Sequence, residues 1–413
     1  MKKSILFVSA LDFKEKSIQV IRKTPEAYVK AGWDVHYIVA RDNSKYGNYY
    51  YEDIINIEGV TITRISNPLS RIINISPSSF YKILRPLDNY LVILFLAIKT
   101  FLTYKNKTFS VVYGYEVHGF LSLKIIKLLG FFKNAKVIAR FQGVFYISPL
   151  LLNQKYLKLF PKWDYLLALK LKSDLCIMTN DGTQGNLVLK KLKSNHLKNY
   201  KFWVNGVDNI IVHNSNIEEI TNKLNITNET VLISVSRLEK IKRLDIGIRI
   251  IDYLVNSLEY DQLKYLIVGE GSEIPNLKEL VSKLNLERYV EFIGAIKQVE
   301  VSNYLELSHF FISTFESSNV GNPLLEAIRA NKVIVTIDNG DTSSWIQNKE
   351  NGIIHKYDSE FVKKSAIEIH NVINDDAFGE KLKENLKKTE QNKLWTWNNR
   401  MREEVKTMTQ LCK

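Results

Sequence analysis

The sequence has only two cysteines among its 413 residues, Cys176 and Cys412, and neither lies near a potential metal-ligand partner. A cytosolic protein without disulfides is the simplest interpretation. The apolar run that follows Lys3 is too short for the hydrophobic region of a signal peptide, so we expect no secretory leader. No G-x-G-x-x-G follows the first predicted strand, which argues against a dinucleotide-dependent dehydrogenase.

Signatures of nucleic-acid binding are also missing. The sequence contains no aromatic-rich RNA motif and no zinc-finger spacing, although its formal net charge is +13. A basic surface favours polyanions, and here nucleotide phosphates or the anionic inner leaflet of a membrane fit better than nucleic acid.

No apolar run is long enough to be a clear membrane span. The most apolar segment, Tyr90 to Leu102, is too short and too interrupted to cross a bilayer. Basic residues lie in and around it, at Lys82, Arg85, Lys99, Lys105 and Lys107. Two interpretations stay open: a buried helix with solvated ends, or a helix that lies on a membrane surface through its apolar and basic residues.

Short apolar runs typical of strands alternate with helical patterns along most of the chain. The predicted strands are 5–10, 35–40, 60–65, 111–113, 137–141, 175–178 and 202–204, and then 231–236, 264–268, 290–293, 310–313 and 333–337. This alternation predicts parallel sheets covered on both faces, with sites at the carboxyl ends of the strands. An Asn-rich stretch separates the two series, so we predict domains at 1–208 and 209–390 and an amphipathic helix in 391–413.

The stretch from Glu316 to Ile328, ESSNVGNPLLEAI, lies between two predicted strands. Pro323 fits the first turn of a helix, so we expect a polar loop followed by a helix N-terminus. Free backbone N–H groups and the positive end of the helix dipole suit a phosphate or sugar ligand. Glu326, about one turn inside the helix, is placed to accept hydrogen bonds from hydroxyl groups such as those of a ribose. An ordinary loop with a capping polar cluster is the alternative.

This stretch resembles the donor-sugar motif of family 4 glycosyltransferases, the retaining group 1 enzymes of the GT-B fold. The shared core is G-x-P-L-L-E-A, from Gly321 to Ala327. The family has an earlier glutamate where this sequence has Ser318, and Glu316 stands two residues before that position. The resemblance implies an α/β protein with two Rossmann-like domains that face each other across a cleft and a C-terminal helix that crosses back to the first domain.

Other segments of the second half are similar to family motifs in the same order. An R-L-x-x-x-K pattern places Arg237 and Lys242 where they would hold two phosphates and stabilise the leaving diphosphate, although a solvated basic face is the alternative. Arg243 stands where the family often has glycine. Gly269 would let the backbone approach the nucleotide closely. Ile296 would border the base.

The first half matches the family less well. Where the family has glycines after the first strand, Lys16 and Ser17 are the available polar residues. His118 follows a predicted strand, but a lone histidine is more often structural. Gln142 replaces a histidine that contacts the donor sugar in the family, and an amide still hydrogen-bonds a hydroxyl. Arg140 would face a phosphate or pair structurally.

The resemblance implies a retaining hexosyltransferase that moves a sugar from a nucleotide-diphosphate donor to a glycan or lipid-linked saccharide, in cell-surface polysaccharide or lipopolysaccharide synthesis. It would be cytoplasmic, with peripheral contact with the inner membrane surface as an extension. No D-x-D cluster stands in a plausible loop and cationic side chains can replace a metal, so we expect no metal and no other cofactor. The predicted catalytic residues are Arg237, Lys242 and Glu326; the donor-binding residues are Glu316, Ser318, Asn319, Val320, Gly321, Asn322, Leu324, Leu325, Gly269 and Ile296; the acceptor or sugar-side residues are Lys16, Ser17, His118, Arg140 and Gln142.

The main alternative is a non-catalytic GT-B subunit that binds a partner transferase or a glycan. Loss of activity through the changes at Ser318 and Gln142 is a variant of it. A nucleotide-sugar epimerase would need more acid and base residues than the sequence offers, and a phosphorylase would need a cofactor lysine in a much longer chain.

Overall fold

The computed structural model describes residues 2–14, 19–45, 53–75, 78–209 and 214–413. They form two compact units, each with its own parallel sheet. The first unit comprises Met1–Asn180, Gly185–Val204 and Trp397–Lys413, and the second comprises Asp181–Gln184 and Asn205–Thr396. The division thus falls four residues before the predicted boundary at 208, and the chain rejoins the first unit at Trp397.

The first unit contains a seven-stranded parallel sheet in the order β3-β2-β1-β4-β5-β6-β7. Its strands are β1 Ser4–Ser9, β2 Asp34–Arg41, β3 Val60–Ser66, β4 Val111–Tyr115, β5 Lys136–Phe141, β6 Leu175–Thr179 and β7 Tyr200–Trp203. Strands β4 and β6 are buried at every residue, and β1, β2 and β5 at every residue but the first, as expected for a sheet covered on both faces.

The helices of the first unit connect the strands and cover the sheet. They are α1 Gln19–Lys30, α2 Ser70–Ile75, α3 Ser78–Tyr104, α4 Glu116–Leu128, α5 Ser148–Leu152, α6 Trp163–Lys170 and α7 Gly185–Lys191, and a 3₁₀ segment, Tyr156–Lys162, lies between α5 and α6. Helix α3 buries Val92, Ile93, Leu96 and Ala97 in the core. Its part Leu87–Tyr104 is, by length and composition alone, the one described stretch apolar enough to cross a membrane, a test that core helices also pass.

The second unit contains a six-stranded parallel sheet in the order β10-β9-β8-β11-β12-β13. Its strands are β8 Thr230–Val235, β9 Leu263–Val268, β10 Val290–Gly294, β11 Phe310–Ser313, β12 Val333–Ile337 and β13 Ile353–His355. The helices are α8 Asn214–Lys223, α9 Leu244–Asp252, α10 Ile274–Lys283, α11 Val301–Leu307, α12 Asn322–Arg329, α13 Phe361–Asn374 and α14 Asp376–Lys393. All twelve predicted strands are confirmed, and β13 is the described strand that the sequence analysis missed.

The last helix, α15 Trp397–Leu411, belongs to the first unit. Trp397, Met401 and Met408 are buried against the sheet face that α1 also covers. This confirms the amphipathic pattern predicted for the tail.

The order of strands in the second sheet locates the site. The chain winds outward in one direction from β8 to β10 and in the other from β11 to β13. Ligands of open α/β sheets bind beside the carboxyl ends of strands at such a reversal. The loops after β8 and β11 are therefore neighbours, and they carry the cations and the G-x-P-L-L-E-A core that the sequence analysis singled out.

Candidate active site

The loop after β8 carries the two predicted phosphate-binding cations. Arg237 is exposed just past the end of the strand, and Lys242 closes a 3₁₀ turn, Lys240–Lys242. The Lys242 Nζ atom lies 3.6 Å from the centroid of the Phe315 ring, a cation–π contact. Burial, and secondarily the charge of Arg237, lowers the pKa of the Lys242 ammonium to about 8. An anion beside this ammonium would favour its charged form.

Hydrogen bonds join the loop after β8 to the loop after β11. The Thr314 hydroxyl donates to the Arg243 carbonyl at 2.8 Å. The Glu316 amide donates to the Ile241 carbonyl at 3.1 Å. We call residues 236–243 the cation loop and residues 314–321 the donor loop. The structure thus brings the predicted cations beside the donor loop. The Glu316 side chain itself is exposed, and its contact with a sugar stays a prediction.

Arg243 adopts a left-handed backbone conformation, with a φ of 51°. Glycine takes this conformation without steric cost, which explains why it suits this position in the family that the sequence resembles. Here the Arg243 guanidinium bonds both carboxylate oxygens of Asp245, at 3.0 and 3.1 Å, and the Tyr357 hydroxyl at 3.1 Å. These contacts hold the residue that ends the cation loop and begins α9.

Asn319 shapes the donor loop from inside, so the prediction that it contacts the sugar is wrong. Its side-chain oxygen accepts from the Phe315 amide at 2.8 Å and from the Ser313 hydroxyl at 2.7 Å. Its side-chain nitrogen donates to the Phe315 carbonyl at 3.2 Å and to the side chain of Asn339 at 3.1 Å. The residue is buried, and its amide is fully committed to protein partners.

Ser318 is also buried, because residues 181–184 of the second unit pack on it. Its hydroxyl donates to the Asp181 carbonyl at 3.0 Å and accepts from the Val320 amide at 3.2 Å. A Cβ atom on Gly182, whose φ is +76°, would meet the Ser318 Oγ at 2.0 Å. The predicted donor contact of Ser318 is therefore corrected to a structural one. A longer carboxylate side chain would collide with this segment.

The segment Asp181–Gln184 and its hydrogen bonds to the donor loop form what we call the clasp. Besides the Ser318 bond, the Asp341 amide donates to the Gly182 carbonyl at 3.0 Å. The Gln184 side chain donates to the Gly340 carbonyl at 3.3 Å. The clasp therefore holds the donor loop and the turn after β12 from one side.

The donor loop ends at α12, whose first turn faces the site. Gly321 caps the helix in an extended conformation, and the helix begins with Asn322 and Pro323. Within the part of the chain that the structure describes, the first-turn amides of Asn322 and Leu324 have no protein acceptor, whereas those of residues 319–321 bond within the protein. The expectation of free amides is thus correct for the helix start and wrong for the loop before it.

The side chains of three predicted donor-binding residues belong to the core. Val320, Leu324 and Leu325 are almost completely buried. The Leu325 amide donates to the Gly321 carbonyl at 3.1 Å, as in a regular helix. Their side chains therefore anchor the loop and the helix and do not reach a ligand.

Glu326 has a partner that the sequence analysis did not find. The Gln298 side-chain nitrogen donates to the Glu326 Oε1 atom at 2.6 Å. Burial raises the pKa of the Glu326 carboxyl to about 8, and the Gln298 bond opposes that rise. Ligand hydroxyl groups that donate to the carboxylate would lower this raised pKa, as the Gln298 bond does. The group would therefore ionise when a ligand with hydroxyls binds.

Gly269 is required by the protein's own backbone. Its φ is +134°, and a Cβ atom there would meet the Ser236 carbonyl oxygen at 1.8 Å. The equivalent atom on Gly271 would meet the Leu238 carbonyl oxygen at 2.3 Å. These glycines let the loop after β9 lie against the loop after β8. The approach of a nucleotide to Gly269 stays a prediction. Ile296 is half-buried just after β10, and its contact with the nucleotide base stays a prediction.

The acceptor-side or sugar-side candidates all belong to the first unit. Lys16 and Ser17 lie outside the described residues. His118 is half-buried in the first turn of α4, and burial lowers the pKa of its imidazole, which favours the neutral form. The Gln142 amide nitrogen donates to the Tyr115 hydroxyl at 3.1 Å, and its backbone amide donates to Glu116 at 2.6 Å. Gln142 is thus held at the carboxyl end of β5.

Arg140 is not available to a phosphate. Its side chain is completely buried in the first unit, with Tyr115, Tyr113 and Glu404 as its electrostatic neighbours. Glu404 also bonds the guanidinium of Arg400 at 2.8 Å and the Tyr113 hydroxyl at 2.9 Å. The residue is buried in the core that α15 helps to form, which rules against a phosphate contact, and its guanidinium has no hydrogen-bond partner among the described residues, so the predicted structural pairing stays a prediction.

Several residues that shape this site were missed. Phe315 and Thr314 follow β11 directly, and their position after a strand was the available signal. Gln298 lies 28 residues before its partner Glu326, so no local pattern marks the pair. The described residues contain no group of three His, Cys, Asp or Glu side chains able to hold a metal ion.

Solved structures identify the fold class. The crystal structure of HepE from Anabaena in complex with UDP superposes with a TM-score of 0.71 at 15% identity, covering 98% of this chain and all of that one. At this identity the likeness speaks for the fold alone. Together with the two parallel sheets, it makes this a protein of GT-B class with two Rossmann-like domains, as predicted.

The family follows from the sequence of the second unit. Residues 216–392 match the family model of Glycosyl transferases group 1. The match covers most of the second unit and less than half of the chain. The second unit is therefore a group 1 glycosyltransferase domain, and the resemblance recognised in the motifs is confirmed.

Curated relatives match over a limited region. An alpha-monoglucosyldiacylglycerol synthase of Acholeplasma laidlawii is 26% identical over 148 residues, which is 36% of this chain and 37% of that protein. An N-acetyl-alpha-D-glucosaminyl L-malate synthase of Bacillus anthracis is 29% identical over 126 residues, 30% of this chain and 32% of that protein. The chain thus spans about a third of the length of these relatives.

Proposed function

We propose that the protein is a retaining glycosyltransferase that moves a sugar from a nucleotide-diphosphate donor to a glycan or lipid-linked saccharide acceptor. The observation that carries the proposal is that the loops after β8 and β11 are hydrogen-bonded to each other at one sheet edge. Arg237 and Lys242 thus lie on a loop next to the one that leads into α12, which carries Glu326. Two cations beside a helix N-terminus suit a diphosphate, and a carboxylate one turn inside the helix suits the hydroxyls attached to it.

The proposed reaction needs no basic side chain of the protein to deprotonate the acceptor hydroxyl. When the bond from the anomeric carbon to the diphosphate breaks, negative charge develops on the leaving phosphate oxygens. Arg237 and Lys242 stabilise that charge, and the acceptor hydroxyl passes its proton to the leaving group on the same face of the sugar. Retention at the anomeric carbon follows from attack on that face. The chain's own residues thus bind, orient and stabilise, which is where positioning makes its largest contribution.

The relatives support the substrate classes. HepE was solved with UDP, and the Acholeplasma relative is by its name a diacylglycerol glycolipid synthase. We therefore propose a UDP-sugar as donor and a membrane lipid or lipid-linked saccharide as acceptor. In this proposal Arg237 and Lys242 take the role that a metal ion would have beside the diphosphate, so no metal is required.

A nucleotide panel tests the donor site. Purified protein is heated with UDP-, GDP-, ADP- and CMP-sugars at high excess, beside the Arg237→Ala, Lys242→Ala double variant and a matched Lys223→Ala, Lys283→Ala control. One nucleotide class should raise the melting temperature of the parent and of the control but not of the double variant. No stabilisation by any of them would overturn the proposal in favour of a non-catalytic GT-B subunit.

Product analysis tests the reaction. With the stabilising donor and detergent-solubilised diacylglycerol or glycolipid acceptors, the coupling constant of the anomeric proton in the product reports its configuration. An α-linked product from an α-linked donor supports retention. A β-linked product would contradict the proposed same-face transfer.

A further inference from the structure

The basic residues of the chain are concentrated in one unit. By sequence, the first unit contains 35 Lys and Arg against 14 Asp and Glu, a net charge of 35 − 14 = +21, whereas the second contains 22 against 30, a net charge of −8. The stretch 117–163 contains eight basic residues and no acidic one. Such a field attracts anionic surfaces within about a Debye length.

Helix α3 in this unit has a second apolar face. While one side is buried in the core, Leu87, Leu94, Ile98 and Leu102 are between 50% and 56% exposed. Their spacing of seven, four and four residues puts them on one stripe along the helix. The solvent side of a helix in a soluble protein is normally polar, so a stripe of this kind marks an interaction surface.

The 3₁₀ segment after α5 adds two prominent apolar side chains. Leu157 is 95% exposed and Phe160 is 83% exposed, while Leu159 between them is buried. Lys158 is exposed on the same segment, and Lys155 is exposed immediately before it. The segment thus buries one apolar side chain in the core and exposes two others to solvent near lysines.

The stripe and the 3₁₀ segment adjoin each other. The ring of Tyr90, on α3, stacks on Trp163 with centroids 5.3 Å apart. The Tyr90 hydroxyl donates to the Pro161 carbonyl at 3.3 Å. We call the combined area, Leu87, Leu94, Ile98 and Leu102 with Leu157 and Phe160, the apolar-basic surface.

The chemistry of this surface selects its partner. Helix α3 cannot cross a bilayer without losing the core contacts of its other face, so the surface lies against a partner instead. A second copy of this chain would bring another strongly basic unit against the first, which is unfavourable. Anionic lipid offers apolar chains for the leucines and phosphates for the lysines.

We propose that the apolar-basic surface docks the first unit onto an anionic lipid bilayer. Leu157 and Phe160 enter the acyl boundary, and the lysines contact the headgroups. Membrane docking rests on the proposed function only in its biological purpose, because docking would bring a bilayer-held acceptor to the enzyme. Binding itself needs no donor and no sugar transfer, so it is tested without either.

Vesicle flotation tests the proposal with the full chain. Vesicles of equal parts phosphatidylglycerol and phosphatidylcholine should carry the protein upward, and pure phosphatidylcholine vesicles should carry much less. The Leu157→Ser, Phe160→Ser variant should bind the anionic vesicles at least about tenfold more weakly, because two apolar side chains no longer enter the bilayer. These side chains are exposed, so folding should survive, as circular dichroism and the nucleotide-induced melting shift will show.

Matched variants separate position from composition. Val299→Ser removes a 78%-exposed apolar side chain from the second unit and should leave flotation unchanged. Lys155→Gln with Lys158→Gln should weaken binding severalfold at low salt, whereas Lys278→Gln with Lys283→Gln should not.

Three results would overturn the proposal. They are failure of the parent protein to float with anionic vesicles at low salt, equal flotation of the Leu157→Ser, Phe160→Ser variant, and a dimer of the parent that this variant converts to a monomer in sedimentation velocity. The last would reassign the surface to a contact between copies. None of them bears on the donor site, whose own failure is read from the nucleotide panel.

Discussion

The two units use charge in opposite ways. In the second, which is net acidic, a few cations stand at one sheet edge beside a loop whose polar groups are almost all bonded internally. In the first, which is strongly basic, Arg140 and Arg400 are completely buried, and the same unit carries an exposed apolar stripe on α3. We infer that the donor site depends on a few positioned groups, whereas the proposed membrane contact of the first unit depends on a whole surface.

The largest expected effect concerns one of those positioned groups. Replacing Lys242 by Met keeps much of the side-chain volume and its packing on Phe315 but removes the charge. Turnover should fall by about 10²-fold or more, as when a single group that stabilises transition-state charge is lost. Steady-state kinetics with the donor found in the nucleotide panel would measure it. A change below threefold would mean that Arg237 alone handles the diphosphate.

The buried cluster of the first unit provides the corresponding test of stability. Arg400 bonds the carboxylate of Glu404, whereas the guanidinium of Arg140 is buried near that carboxylate without a hydrogen-bond partner among the described residues, so the cluster has one positive charge in excess. Glu404→Gln leaves two buried cations and should cost about 3 kcal/mol or more, whereas Arg140→Met leaves one balanced pair and should cost much less. Urea unfolding curves of both variants decide this. Equal losses would show that Arg140 is as well paired as Arg400.

Much of the fold followed from the sequence because strands buried on both faces are continuous apolar runs. Strand β13 was missed because its three residues, Ile353–His355, are too few to form a pattern. Within the site, the motif residues lie on the loop and helix that the sequence predicted, but the roles of Asn319 and Ser318 were assigned wrongly because the protein itself supplies their partners. Asn319, Ser318 and Gly269 contact loops distant in sequence, and no local pattern reveals such contacts.

A smaller effect is expected from a substitution in the clasp, and the comparison of two glycines separates the cost of backbone strain from the cost of a steric collision. Gly182 and Gly32 both have a positive φ, of 76° and 80°, but only a Cβ on Gly182 meets other atoms, whereas nothing lies within 4 Å at Gly32. Changing either to Ala should cost about 1 kcal/mol for the left-handed backbone. Gly182→Ala should cost more, and it should also raise KM for the donor severalfold, since Ser318 must move. Equal melting temperatures and an unchanged KM would show that the clasp does not hold the donor loop.

The smallest expected effect is the number of protons taken up or released when the ligand binds, which depends on both Lys242 and Glu326. Free Lys242 and free Glu326 both have a pKa of about 8. A bound diphosphate raises the pKa of the lysine, so binding takes up protons and this part of the affinity falls as pH rises through 8. Ligand hydroxyls lower the pKa of the glutamate, so binding releases protons and that part of the affinity rises with pH.

Because these effects have opposite signs, they cancel near pH 8. At pH 7 the lysine is already charged and the glutamate is mostly protonated, so binding should release close to one proton. At pH 9 the sign reverses, with uptake of about the same size. Calorimetry in buffers of different ionisation enthalpy measures the count. With Lys242→Met only proton release should remain, and with Glu326→Gln only proton uptake should remain. A parent protein with no pH-dependent proton exchange would mean that a bound nucleotide sugar touches neither group.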